Sequence, residues 1–170
     1  MAPMDELTPP QSHFLSAAEG WLELGNVAEA RAELARMDES LRDHPQVLEV
    51  RWGIFAQEQA WPQALEVARE LVRIAPELPT GWLHQAYAVR RAPGGGLEAA
   101  WKALFPALAK FPDVAIIPYN LACYACQLQQ LDEARELLGR AIETGGKSQI
   151  QKIALADSDL QPLWSEIRHL

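Results

Sequence analysis

Apolar residues return along this chain at helical spacing, in stretches punctuated by Gly, Pro and Asn, and no stretch gives a convincing strand. The segment FLSAAEGWLELGNVAEARAELARMDESL carries that spacing on both sides of Gly25-Asn26, which predicts two helices joined by a tight turn. Gly25 suits the left-handed residue that ends a helix, Asn26 suits the cap of the next, and Glu29 stands three residues on, as a capping box requires. The pattern then repeats. Pro45 opens a second helical pair whose turn falls at Trp61-Pro62 and which closes at Pro76 and Pro79. A third pair runs from Pro79, with the Pro93-Gly94-Gly95-Gly96 run as its turn, expected to protrude or flex, and with Pro106 expected to bend its second helix. A fourth spans VAIIPYNLACYACQLQQLDEARELLGRAIETGGK and stops at Gly145-Gly146. Beyond it the pattern predicts a helix from about Ser148 to Ala156, a turn at Asp157 to Asp159, and a short helix from about Leu163 to Ile167.

A small residue marks the same place in each pair: Ala30 and Ala64 are 34 positions apart, as are Ala100 and Ala134, and the 36-residue step between Ala64 and Ala100 is accounted for by the glycine run. A unit of this length cannot bury its own apolar face, so it stacks on its neighbours. The fold expected is therefore all-α, a solenoid of stacked helix pairs. Its units are expected at about 12–44, 45–78, 79–114 and 115–148, with capping helices at 149–170 and a disordered N-terminal segment at 1–11.

Charge narrows the partners. The net charge of -8 belongs to the first half, where Met1 to Gln85 holds 14 acidic against 6 basic residues, whereas Ala86 to Leu170 holds 9 of each. An acidic field repels phosphate backbones and anionic headgroups, so neither nucleic acid nor a membrane is expected as a partner. The chain starts without a basic segment followed by an apolar stretch and has no run long enough to span a bilayer, which makes the cytoplasm, of bacterial type, the expected residence.

Candidate chemistry is sparse. Cys123 and Cys126 have the gap of a redox or half-metal motif, but they fall mid-helix with no second pair to complete a zinc site, and small helix residues are the better account. His13, His44, His84 and His169 are scattered, although stacking could bring His84 near Cys123. The glycine run lacks the Lys and Ser/Thr of a phosphate loop. Neither cofactor nor metal is expected, and the chain is not expected to be an enzyme. Of the tryptophans, Trp21, Trp61 and Trp82 are expected in the core, while Trp101 beside Phe105 is expected as an exposed patch that would offer a surface for a homodimer.

These units resemble the tetratricopeptide repeat (TPR) family, most fully in the fourth, where Asn120, Leu121, Ala122, Ala134, Leu138 and Ala141 fall on signature positions. Trp61, Ala64, Ala68, Leu71 and Pro76 match in the second unit, Phe14, Ala18, Trp21, Ala30, Leu34 and Met37 in the first, and Trp82, Ala86, Ala100, Leu104, Ala107 and Pro112 in the third. Arg51 and Trp52 depart from it, standing where the family has Leu and Gly, which predicts wider helix spacing there. The resemblance implies a right-handed α–α superhelix and a protein-interaction module whose first helices line a concave groove. It places Glu19, Glu23, Glu49, Tyr87, Arg90, Arg91, Tyr119 and Gln127 on that surface, with Asn120 the counterpart of a family clamp residue. On this reading Arg90 and Arg91, with Tyr87 and Tyr119, hold the acidic end of an extended peptide while the three glutamates face its basic part. The alternatives are that the arginines only solubilise and the tyrosines only pack, or that the chain is an assembly subunit working through its convex face or terminal helices.

Overall fold

The computed structural model describes residues 7–169. Of the N-terminal segment, residues 1–6 lie outside the described residues, Leu7 packs on the first apolar cluster, and Gln11 opens the first helix. Helices α1 (Gln11–Glu23) and α2 (Val27–Leu34) pair, as do α3 (Pro45–Gln57) and α4 (Trp61–Ile74). Then α5 (Pro79–Arg91) pairs with α6 (Leu97–Leu104), which continues after Pro106 as α7 (Ala107–Lys110). After α8 (Ile116–Gln127) and α9 (Leu131–Gly145) come α10 (Lys147–Ala154), a 3-10 stretch at Ser158–Leu163 and α11 (Trp164–Ile167). The described residues contain no strand, and the successive antiparallel pairs pack as an α-solenoid.

Local chemistry sets the helix ends. Gly25 sits at φ 75° between α1 and α2, and the Asn26 side chain accepts the Glu29 N–H at 3.3 Å. Proline occupies the first turn of α3, α4 and α5, where its missing N–H has no helical partner to lose. The helix containing Pro106 is divided rather than merely bent, α6 ending two residues before the ring. The glycine run folds back on α5: the Gly96 N–H bonds the Val89 carbonyl at 3.2 Å and the Gly95 N–H bonds the Ala92 carbonyl at 3.0 Å. A Cβ on Gly95 would lie 1.7 Å from the Val89 oxygen, so only glycine fits this approach.

Small residues let the pairs close. Ala18, Ala30, Ala64, Ala86, Ala100 and Ala134 are fully buried. The core grows toward the C-terminus: α1 buries Leu15 and Ala18 and α2 only Ala30, whereas α8 buries nine of its twelve residues, eight of them in the largest cluster.

Two expectations are corrected. Trp21 is 37% exposed, because the described residues place no further helix pair on the outer side of α1 and α2. The second helix of the first pair stops at Leu34 and does not reach Met37; the chain turns into a 3-10 turn at Glu39–Leu41, where the Asp38 carboxylate accepts the Ser40 N–H at 2.8 Å. The departure at Trp52 has a structural use, since its ring lies 3.7 Å from that of His84, near parallel, and joins α3 to α5.

Candidate functional site

The predicted groove residues separate into three groups. The first lies where α1 meets α3: Glu19, Glu23 and Glu49 surround a shallow depression of about 400 Å³ that Leu22, Val50 and Gln57 also line. Burial raises the pKa of Glu19, and the Glu49 and Glu23 carboxylates raise it further. Glu49 accepts the Thr80 hydroxyl at 2.5 Å, and Gln57 donates to the Leu22 carbonyl at 2.7 Å. This end favours a cationic or neutral neighbour.

The second group is aromatic. Tyr87 presents its ring to the edge of Trp52, centroids 5.9 Å apart, and to Trp61 at 5.8 Å. The Arg91 guanidinium lies 3.5 Å from the Tyr87 centroid and 5.4 Å from that of Trp61, and its Nη1 donates to the Tyr87 carbonyl at 3.1 Å. The same cluster buries His84, whose pKa falls to about 4 because the charged ring loses its water. His84 is thus spent on the Trp52 stack, and Cys123 faces a different group.

In the third group the chain's own C-terminal turn crosses α8. Arg90 pairs with Asp159 at 2.5 Å, the Tyr119 hydroxyl donates to Asp157 at 3.0 Å, and Gln127 Nε2 donates to the Asp159 carbonyl at 2.9 Å. Cys123 Sγ donates to the Asp157 carboxylate at 3.5 Å. The turn is anchored from below, with Leu160, Leu163 and Ile167 buried in the core and Trp164 Nε1 bonded to the Ala154 and Asp157 carbonyls. Asn120, the clamp counterpart, turns back to donate to the Ile116 carbonyl at 2.8 Å within its own helix.

The structure therefore brings Arg90, Tyr119 and Gln127 together, though on the protein's own C-terminal turn, the first two on its carboxylates and Gln127 on a backbone carbonyl, and leaves Arg91 and Tyr87 at the surface. Sequence reasoning passed over Asp157 and Asp159 as binding partners. Their signal was present in the acidic Asp-Ser-Asp spacing beside an apolar tail, but it read only as a turn. Trp61 was expected in the core and Trp52 only as a departure from the repeat pattern, and both form the wall behind Tyr87.

The arrangement does not amount to a catalytic centre. Cys123 and Cys126 are buried and unbridged, and desolvation raises both thiol pKa values, which disfavours the nucleophilic thiolate. Among the described residues no group of three or more His, Cys, Asp or Glu side chains is placed to hold a metal ion. No described helix is long and apolar enough to cross a membrane.

No family model matches the chain, and no curated protein matches it. Solved structures do. A thermophilic TPR protein of Thermus thermophilus superposes with a TM-score of 0.70 at 20% identity, over 92% of this chain and 82% of that one. MamA of Desulfovibrio magneticus, from residue 41 to its end, gives 0.67 at 14% identity over 97% of both chains. A double mutant of MamA gives 0.67 at 16% identity over 82% of this chain and 77% of the other. At such identities the likeness is one of fold, and the fold it shows is a TPR-like and MamA-like solenoid of paired helices.

Proposed function

We propose that this chain is a non-catalytic scaffold for protein assembly, a single body of four repeats closed by residues 149–170. Its partners would meet the α1–α5 half, the convex face or the end helices rather than the groove along its full length. One observation carries this reading: the inner side of α8 is covered by the 157–163 turn, which uses Arg90, Tyr119 and Gln127 internally. A peptide laid along the whole groove would have to expel a segment whose Leu160 and Leu163 are in the core. Apolar side chains remain exposed elsewhere, among them Trp21, Leu24 and Phe105, the last stacked on Trp101. The surplus of acid in the first half supports a protein partner over nucleic acid, and residence in the cytoplasm belongs to the same reading.

The peptide-binding reading survives in a shortened form, in which Glu19, Glu23, Glu49, Tyr87 and Arg91 serve a segment lying across α1, α3 and α5. Hydrogen–deuterium exchange on the chain with and without its captured partner, beside a light-scattering dilution series for self-association, tests both. New protection is expected on α1–α5, or on Trp101 and Phe105 if the partner is a second copy. Protection confined to α8 with loosening of 157–163 would refute the proposal.

A further inference from the structure

Two adjacent arginines at the end of α5 have opposite fates. Arg90 is half-buried and holds the Asp159 carboxylate, with Tyr119 and Gln127 gripping the same acidic turn. Arg91 is exposed, and among the described residues no carboxylate stands within ion-pair distance of it. We propose that Arg91, laid on Tyr87 beside Trp61, is the docking point for an Asp or Glu side chain on an extended segment of a partner protein, flanked there by apolar residues. The inference rests on the scaffold reading and gives it a chemical class of partner.

The guanidinium is already oriented. Its face lies on Tyr87 and its Nη1 is held by the Tyr87 carbonyl. Its remaining edge is a planar fork that matches a carboxylate, and a side chain fixed beforehand loses little rotamer freedom on binding. Behind it Tyr87 is braced by Trp52 and Trp61, and Trp52 by His84, so the platform does not depend on one mobile ring. Tryptophan, tyrosine and arginine together are the composition of interface hot spots.

The chain supplies its own example of the ligand. Asp157-Ser158-Asp159-Leu160 brings carboxylates to Arg90 and Tyr119 and puts a leucine into the apolar layer beneath them. An acidic residue next to an apolar one is therefore the chemistry that an arginine and tyrosine of these first helices accept. Charge fixes the direction of a bound segment. The Glu19, Glu23 and Glu49 depression repels a carboxylate, so the acidic residue belongs at Arg91 and a neutral or basic stretch toward α1.

The test is selection of random twelve-residue segments displayed on phage against the full chain, in one library with segments internal to the coat protein and in another with free C-termini. Expected is enrichment of Asp or Glu beside an apolar residue in the internal library. The selected peptides should lose at least about tenfold in affinity against Arg91→Ala, read by tryptophan fluorescence, and most of that loss should persist in Arg91→Lys, which keeps the charge without the stacking plane. Circular dichroism of both variants confirms that they are folded. Enriched peptides without acid, equal binding to Arg91→Ala, enrichment only with free C-termini, or no recovery above a protein-free control would each overturn the proposal. The scaffold reading is judged separately by the exchange footprint, so peptides that bind at another part of α1–α5 would sink the Arg91 site alone.

Discussion

Acid should weaken this protein through His84. Folding moves the ring into the stack with Trp52 and lowers its pKa from 6.5 to about 4. The unfolded chain takes up this proton at the higher value and the folded chain only at the lower one. Between the two the unfolded state binds more protons, so the stabilisation is full above about pH 6.5 and is lost progressively as the pH falls toward about 4. A difference of this size amounts to on the order of 3 kcal/mol over the whole window, an appreciable part of the stability of a small domain. Glu19 works the other way: its raised pKa means that the folded state takes up a proton more readily, which adds stability as the pH falls. Comparison with a His84→Phe variant removes that contribution and those of the other carboxylates. The Phe ring can still lie on Trp52 and does not titrate. Urea midpoints measured across the window should fall more steeply for the parent chain than for His84→Phe, and His84→Gln should follow the Phe variant in pH dependence even if it is less stable. Parallel curves for parent and variants would refute the reasoning.

The C-terminal turn and the glycine run give two further tests. Leu160→Ala empties a fully buried site beneath the turn that carries Asp157 and Asp159, and should cost about 2–5 kcal/mol in urea denaturation; a change close to zero would mean that the turn is not part of the core. Gly95→Ala should destabilise by about 1–3 kcal/mol, because its Cβ meets a backbone oxygen that cannot step aside. It should do so by more than Gly94→Ala, which has open space and only the strain of a positive φ to bear, and thermal midpoints of the pair decide the order.

How far the sequence could be read depended on the distance between cause and effect. Gly25, Asn26, Pro45, Pro79 and Gly146 act on their own backbone, so the helix ends near them were legible directly. The buried alanines were legible through their period, because each repeat meets its neighbour in the same way. What repetition cannot describe is an end. Trp21 occupies a packing position of its unit, but among the described residues no helix pair lies on its outer side, so it is exposed. The site was half legible for the same reason. Arg90, Arg91, Tyr119 and Gln127 were singled out by position, but the carboxylates that meet Arg90 and Tyr119 come from 69 and 38 residues away, in a tail that follows no period. The Trp52–His84 stack was hidden because it fills the place where the repeat pattern has glycine.

The unequal burial of the helices also sets the order in which the molecule comes apart. In a stacked array each pair is held by its neighbours, and local opening proceeds from whichever end is held least. Here α8 lies within the largest cluster and is closed over by the terminal turn, while α1 and α2 share a small cluster with α3 at the other end. Opening should therefore begin with α1 and α2, with α8 and α9 exchanging their amide hydrogens last. A ligand that grips the loose end shifts that local equilibrium directly, so occupancy of the α1–α3 depression would be felt first as slower fraying of the first helix pair.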